Sequence, residues 1–488
     1  MNKRIHLPKK GGGLFAAALL ASGLMSSFAG ETEVKSTVDK TVVAPAPEAN
    51  PLSFFDGKVV FDLQERLRWE NRSNNFDFNS GARAITDGNW FEQRFRIGVA
   101  IKPVEWLKIY AQGQDVREFN GRRPLIPGAS GAEGDDAFDL RQAYIEISDY
   151  DKCPWGLKVG RQELSYGDER LVGVSDWTNY ARTFDAAKVI YKGQGFSLEA
   201  FSATPAIITR SKYDQSDLFN GNETNRDLVF SGAYLSLNAL PFGTWDFYSF
   251  VLDQANGNVG YAQGTLNTAL PKGSLLDRSD FVTLGTLIKG DPKKLHGWEF
   301  SGEFAWQGGK VRDLNLNAFA VNAGVGYNFL DTPWKPRIYA EYNYASGDDN
   351  PASGDIGTFQ NLFPTNHKFY GIMDMFSWQN MQDAHVSVSV QPMKALTAQV
   401  DYYAHWLANN NDAWYRANGI NTVRPLNAAA KDAGNYQGSE LDFILIWNVK
   451  KYFQVQGGYA HFFAGSYLKD TGAHDDADFG YVQALFKF

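Results

Sequence analysis

The 488-residue sequence predicts an all-β fold: a single antiparallel transmembrane β-barrel of about 18 strands. Three observations carry this. Segments of roughly 9–13 residues alternate in hydrophobicity at period two. The connections between them alternate short and long. No run of about 20 apolar residues exists that would make a spanning helix. Composition agrees, with 15% aromatics and 47 Gly against only 44% hydrophobic residues, as expected where every second strand residue stays polar and turns are tight.

The N-terminus has the layout of a secretory signal. Lys3, Arg4, Lys9 and Lys10 are basic, Gly11 to Met25 is apolar, and Ser27-Phe28-Ala29 puts small residues at the cleavage positions. Cleavage is expected after Ala29. Residues 30–53 are polar and Pro-rich and read as a flexible periplasmic lead-in, leaving 54–488 as the barrel. Removing residues 1–29 takes four of the 47 basic residues and none of the 55 acidic ones, a net of about −12. So acidic a chain is no partner for nucleic acid. The lone Cys153 excludes an intrachain disulfide and a Cys-based zinc cluster.

Strands are expected at about 58–70, 90–102, 106–116, 138–149, 156–164, 184–192, 195–202, 227–238, 243–253, 280–289, 297–308, 316–328, 336–346, 381–391, 396–406, 439–449, 453–464 and 477–488. In the first, Phe61, Leu63, Leu67 and Trp69 oppose Asp62, Gln64, Arg66, Arg68 and Glu70. In the second, Phe91, Phe95, Ile97 and Val99 oppose Glu92, Arg94 and Arg96. Ala384, Val386 and Val388 likewise oppose Asp383, His385 and Ser387. Even-numbered strands precede short turns such as 102–105 and 391–395. Odd-numbered strands mostly precede long loops: 71–89, 117–137, 165–183, 203–226, 254–279, 347–380 and 407–438. An even strand count puts both termini in the periplasm. The alternating final strand ends on Phe488, which reads as an assembly signal for the barrel-assembly machinery.

DLRQAYIE (139–146), VGRQELSYGDERLVG (159–173) and DWTNYARTFDA (176–186) form a long ordered run. With HKFYGIMDMFSWQN (367–380) and the C-terminal GYAHFFAGSYLKDTG and DFGYVQALFKF, it resembles the alginate export family of outer-membrane channels. The resemblance spans nearly the whole mature chain. It implies an 18-stranded barrel that passes an anionic exopolysaccharide outward, with inward basic residues at Arg66, Arg94 and Arg96. The fold transfers from such a resemblance more safely than the substrate.

Thirteen of the 21 Arg lie between Arg66 and Arg182, including Arg83, Arg122 and Arg123. Alternation puts Arg66, Arg68, Arg94 and Arg96 on the polar, lumenal face, since a lipid-facing Arg near the midplane costs about 2–4 kcal/mol. Guanidinium forks grip carboxylates, and anion transit needs several weak sites. The expected site is an Arg-lined constriction of Arg66, Arg68, Arg94, Arg96, Arg141 and Arg161, with Arg170 and Arg182 added by the family resemblance. Asp62, Glu92, Asp168, Glu169 and Asp185 are the nearby charge partners, and Arg–carboxylate bracing of the wall is the competing reading. Two positions conflict with this assignment. Arg141 shares parity with Ile145 and Ile147, and Arg161 with Leu157 and Val159, so a bulge near Gly160 would be needed to turn Arg161 inward.

The charged, aromatic loop 165–183 is expected to fold into the barrel. In 347–380, Asp348, Asp349 and Asp355 lack EF-hand spacing and read as surface acidity. Seven scattered His, no HExxH and no GxSxG give no support to an enzyme, and neither a cofactor nor a metal is expected. The function expected is a monomeric outer-membrane channel for an anionic polysaccharide or acidic oligosaccharide, embedded in outer-membrane lipid. The alternatives are an uptake porin for small anions or sugars, a barrel-embedded hydrolase, and a structural or adhesive barrel.

Overall fold

Alternation at period two makes one face of each segment apolar, and a sheet can satisfy every backbone group in lipid only by closing on itself. The structure is a computed structural model that describes residues 51–75, 77–81, 88–120, 136–207, 223–224, 227–255, 278–350, 352–419, 422–424 and 432–488. The expected leader, most of the lead-in, Arg83, Arg122 and Arg123 lie outside the described residues.

Eighteen strands form the wall: β1 (Val59–Ser73), β2 (Gly88–Val104), β3 (Leu107–Phe119), β4 (Asp136–Ser148), β5 (Trp155–Gln162), β6 (Phe184–Gly193), β7 (Phe196–Ile207), β8 (Leu228–Leu237) and β9 (Gly243–Gln254). The second half comprises β10 (Ser279–Gly290), β11 (Trp298–Val311), β12 (Leu314–Asn328), β13 (Arg337–Ala345), β14 (Met381–Met393), β15 (Leu396–Leu407), β16 (Tyr436–Lys450), β17 (Phe453–Ala464) and β18 (Ala477–Lys487). Each pairs antiparallel with its neighbours in sequence. β18 returns to β1 in the register Gln64↔Lys487 to Ser73↔Asp478 and closes the ring. Phe488 donates its backbone N–H to Leu63 O at 2.9 Å, beside the N-terminal pairing of Ser53–Phe54 with Val59–Val60.

The connections sort by parity as expected. One odd-numbered strand departs from the long-loop pattern. β11 and β12 meet in a two-residue turn at Arg312-Asp313, with φ of 51° and 62°. Two left-handed residues match the right-handed twist of the flanking strands, so this hairpin needs no longer loop.

The outer surface is greasy. Trp106, Trp155, Trp298, Trp334 and Trp447 are exposed near the short-turn end, and Trp69, Phe91, Phe119, Trp306 and Phe463 near the long-loop end. These are the two aromatic girdles of a barrel in lipid, and the short-turn end is the periplasmic one. Val386 is 48% exposed, on the outer face.

The interior departs from simple alternation. On β7–β10, the residues turned inward near the long-loop end are Phe201, Ala203, Leu228, Phe230, Phe250, Leu252 and Phe281, all buried. They join loop residues Leu164, Tyr166, Leu171, Val172 and Phe363 in one apolar core inside the barrel. Nearer the short turns the same inner face is polar again, with Glu199, Ser236 and Asp246.

Candidate functional site

β1 and β2 position the first arginines. Their register sets Arg66 opposite Arg94, Arg68 opposite Glu92 and Gln64 opposite Arg96. All four guanidinium residues are buried and point inward. Like charges directly opposite one another are unfavourable unless each finds acceptors. Here the acceptors come from loop 165–183.

That loop runs into the barrel, as its composition predicts. Arg66 donates to Asp176 O at 2.7 Å, Trp177 O at 3.1 Å, Thr178 O at 3.2 Å and Asn179 Oδ1 at 3.0 Å. Arg94 donates to Asp176 O at 3.0 Å and pairs with Asp176 Oδ2 at 3.1 Å. Arg96 pairs with Asp176 Oδ1 at 2.8 Å and donates to Gln114 Oε1 at 2.6 Å. Burial alone would raise the Asp176 pKa, but Arg94, Arg96, Arg66 and Arg141 outweigh it and hold this carboxyl well below the usual carboxylate range. Arg68 is saturated differently. It pairs with Glu92 and, at 2.7 Å, with Glu70, donates to Trp177 O at 2.7 Å, and lies 3.9 Å from the Trp177 ring centroid.

The other end of the loop reaches the opposite wall. Arg170 pairs with Glu341 of β13 at 2.9 Å, donates to Asn343 Oδ1 at 3.1 Å, and lies 4.1 Å from the Phe369 ring centroid. Loop 165–183 therefore spans the bore. Loop 347–380 lies alongside it. Val172 and Phe363 form a parallel bridge, Phe363 N–H donates to Leu171 O at 2.7 Å, and Arg182 donates to Gly173 O and Phe363 O at 2.7 and 2.5 Å. His367 stacks on Trp177 at 3.7 Å and bonds Asp374 at 2.9 Å, and Asp374 also pairs with Arg72. Asp348 is buried and accepts from Asn350 N–H, which corrects the expectation of surface acidity at that position; Asp349 and Asp355 are exposed.

The two parity conflicts resolve in opposite directions. Between β3 and β4 the register slips, with Gln112 opposite Gln142 but Gly113 opposite Leu140. This bulge turns both Arg141 and Gln142 inward. Arg141 is buried, donating to Gln112 Oε1 at 2.8 Å and pairing with Glu163 at 2.5 Å. At Gly160 the pairings with β4 and β6 run unbroken, so the bulge suggested there is absent. Arg161 stays on the side of exposed Leu157 and Val159 and pairs with Asp185 at 2.8 Å, apart from the other arginines.

The remaining charge partners take roles that spacing did not predict. Glu92 does serve Arg68. Asp62 accepts from Tyr110 and Gln112 at 2.9 and 3.1 Å, Asp168 pairs with Lys289 at 2.7 Å, and Glu169 accepts from Thr365 at 2.7 Å.

Two inward groups escaped the sequence reading. On β3–β6, Lys108, Glu146, Lys158 and Lys188 are successive cross-strand neighbours near the short turns. Lys188 pairs with Glu199 at 2.9 Å. Lys158 lies 3.8 Å from the Tyr144 ring centroid, and Lys108 donates to Tyr144 Oη at 3.2 Å. The signal is present in the sequence, since all three Lys have inward parity on their strands. On β13–β16, Glu341, Asp383, His385, Asp401, His405, Glu440 and Asp442 form an acidic and histidine strip. His385 meets Asp401 at 2.9 Å and His405 meets Asp383 at 3.3 Å. Glu440 accepts from Met373 N–H at 2.9 Å and Asp442 from Ile372 N–H at 3.2 Å, holding loop 347–380.

A family model described as "Alginate export" matches residues 59–482. No match was found among curated proteins. Among solved structures, the chain is similar to Pseudomonas aeruginosa OpdQ at TM-score 0.56 and 13% identity, covering 88% of this chain and 97% of that one. P. aeruginosa OccK3 (OpdO) gives 0.55 and 14%, covering 88% and 95%. P. aeruginosa OpdK with vanillate gives 0.55 and 12%, covering 88% and 98%. At such identities the likeness concerns the fold.

Proposed function

Since this chain belongs to the alginate export family and is an outer-membrane β-barrel channel, we propose that it conducts an anionic polysaccharide or acidic oligosaccharides by facilitated diffusion past its arginine-rich wall. The observation that carries this is the convergence of Arg66, Arg94 and Arg96 on the loop tip at Asp176, Arg94 and Arg96 on its half-exposed carboxylate and Arg66 on its backbone carbonyl. Two guanidiniums share one carboxylate and the third meets only neutral oxygens of the loop, so the spot keeps positive charge in an otherwise acidic chain. Fixed donors of this kind favour anions, and guanidinium forks fit carboxylates in particular. Lys108 and Lys158 beside Tyr110 and Tyr144 extend the cationic face toward the short-turn end. The chain acts as a monomer and without catalysis in this reading, inserted by the barrel-assembly machinery through its Phe488 strand.

Planar-bilayer recording of the full-length barrel under a KCl gradient tests the proposal. Anion preference is expected in the wild type and loss of that preference in Arg94→Gln plus Arg96→Gln. Selectivity that does not move between the two would defeat it.

A second reading is an uptake pore for small carboxylates. The filling of the bore by loops 165–183 and 347–380 favours it, as does the likeness to OpdK, solved with vanillate. Block by long oligouronates without passage, together with passage of monomers, would select this reading.

A further inference from the structure

We propose that the side chain of Asp176 occupies a substrate carboxylate site, and that an incoming carboxylate exchanges with it on Arg94 and Arg96 and thereby loosens the loop tip. The inference rests on the channel reading above and adds a specificity device to it.

The grip on the tip has two parts. Arg66 and Arg68 hold backbone carbonyls of Asp176, Trp177 and Thr178, which no solute carboxylate can imitate. Arg94 Nη2 and Arg96 Nη1 hold the carboxylate oxygens, one each, at 3.1 and 2.8 Å. That second grip is the pattern two guanidiniums would offer to any carboxylate. The donors are fixed: the Arg94 and Arg96 side chains are 1% and 6% exposed, while that of Asp176 is 48% exposed. The acceptor is therefore reachable from the bore, although protein surrounds it at longer range.

The charge balance favours a carboxylate at this spot. Arg68 is paired by Glu70 and Glu92, Arg72 by Glu70 and Asp374, and Arg141 by Glu163. Arg94 and Arg96 share the Asp176 carboxylate, while Arg66 donates to neutral oxygens of Asp176, Trp177, Thr178 and Asn179. Arg96 Nη2 is buried and has no hydrogen-bond partner among the described residues. That donor is left for a carboxylate that takes the place of Asp176. The movable part is also delimited. Residues 174–178 are half-buried, with buried residues on both sides of them. Ser175 and Ala181, at φ of 51° and 57°, are held in the left-handed region that non-glycine residues seldom adopt. Loss of the carboxylate grip loosens the tip, which then rests on its backbone carbonyls, without dismantling the loop anchored by Arg170 and Arg182.

The test uses the full-length barrel in nanodiscs, with Cys153→Ser and a nitroxide on Ser175→Cys. The probes are oligogalacturonate and, as a neutral control, maltohexaose. Oligogalacturonate is expected to mobilise the label and maltohexaose to leave it unchanged. With Asp176→Asn added, the label is expected to be mobile from the start and to respond no further. In bilayers, the same variant is expected to lower the oligogalacturonate concentration for half-block about tenfold, the scale of one charge-assisted competitor removed. Current block by oligogalacturonate with an unmoved label, or unchanged half-block in Asp176→Asn, would overturn the exchange while leaving the channel reading intact. No block and no label response in any variant would overturn both.

Discussion

Strands β1–β3 and strands β7–β10 follow the same in-out alternation, yet their inner faces have opposite character. The first wall presents Arg66, Arg68, Glu92, Arg94 and Arg96; the second presents Phe201, Phe230, Phe250 and Phe281. The outer faces are alike, since both meet lipid. What differs is the contact inside. The first wall meets loop backbone, whose carbonyls at Asp176, Trp177 and Thr178 need donors. The second meets apolar loop side chains; the Phe230 ring lies 4.7 Å from that of Phe363 and 5.2 Å from Phe201. In a wide barrel the lumenal face is thus set by whatever fills it. Polar lining follows where the filling is backbone or solvent, and a conventional core forms where the filling is apolar.

The largest effect expected from breaking this contrast lies on the polar wall. Arg68→Met removes the guanidinium from buried Glu92 and from buried Glu70, which keeps Arg72, and should cost about 3–5 kcal/mol. Chemical denaturation of the folded barrel checks this, and adding Glu70→Gln with Glu92→Gln should recover part of the loss. If Arg68→Met alone is neutral, the wall is not braced by that network.

On the aromatic wall, Phe230→Ala should cost about 3–4 kcal/mol through the cavity it opens between Phe201, Phe250 and Phe363. It should also speed protease cleavage in loop 347–380 while leaving ion selectivity unmoved. A change in selectivity would show that the two walls are not separable.

Arg161→Gln sharpens the comparison from the outside. Its partly exposed pair with Asp185 should contribute under about 1 kcal/mol. Selectivity measured in bilayers should not change, because the side chain does not share the bore with Arg94 and Arg96.

The smallest expected effect is that of moderate acid. The Asp176 pKa is depressed, so its contribution to holding the tip is present above the ordinary Asp value of about 3.9 and is lost only as pH falls through the lowered value. Label mobility at Ser175 should therefore stay constant from pH 7 to about 4.5. The aromatic contacts carry no titratable group and should be equally flat. Loosening near pH 5 would mean that the arginines do not hold this carboxylate as described.

Alternation is a property of neighbouring residues, and so the sequence alone determined the strands, their outer faces and the inward direction of Arg66, Arg68, Arg94 and Arg96. Connection lengths determined the polarity of the barrel, and the dense 165–183 segment its inward loop. Tertiary structure decided what each inward group meets. Arg66 and Asp176 lie 110 residues apart in sequence, and no local period encodes the path that brings them together. A register slip opposite Gly113 turned Arg141 inward, and an unbroken register at Gly160 left Arg161 outside. Both depend on how adjacent strands pair, which residue spacing within one strand cannot report. The aromatic part of the lumen belongs to the same class: alternation turns those Phe residues inward, and a loop distant in sequence covers them there.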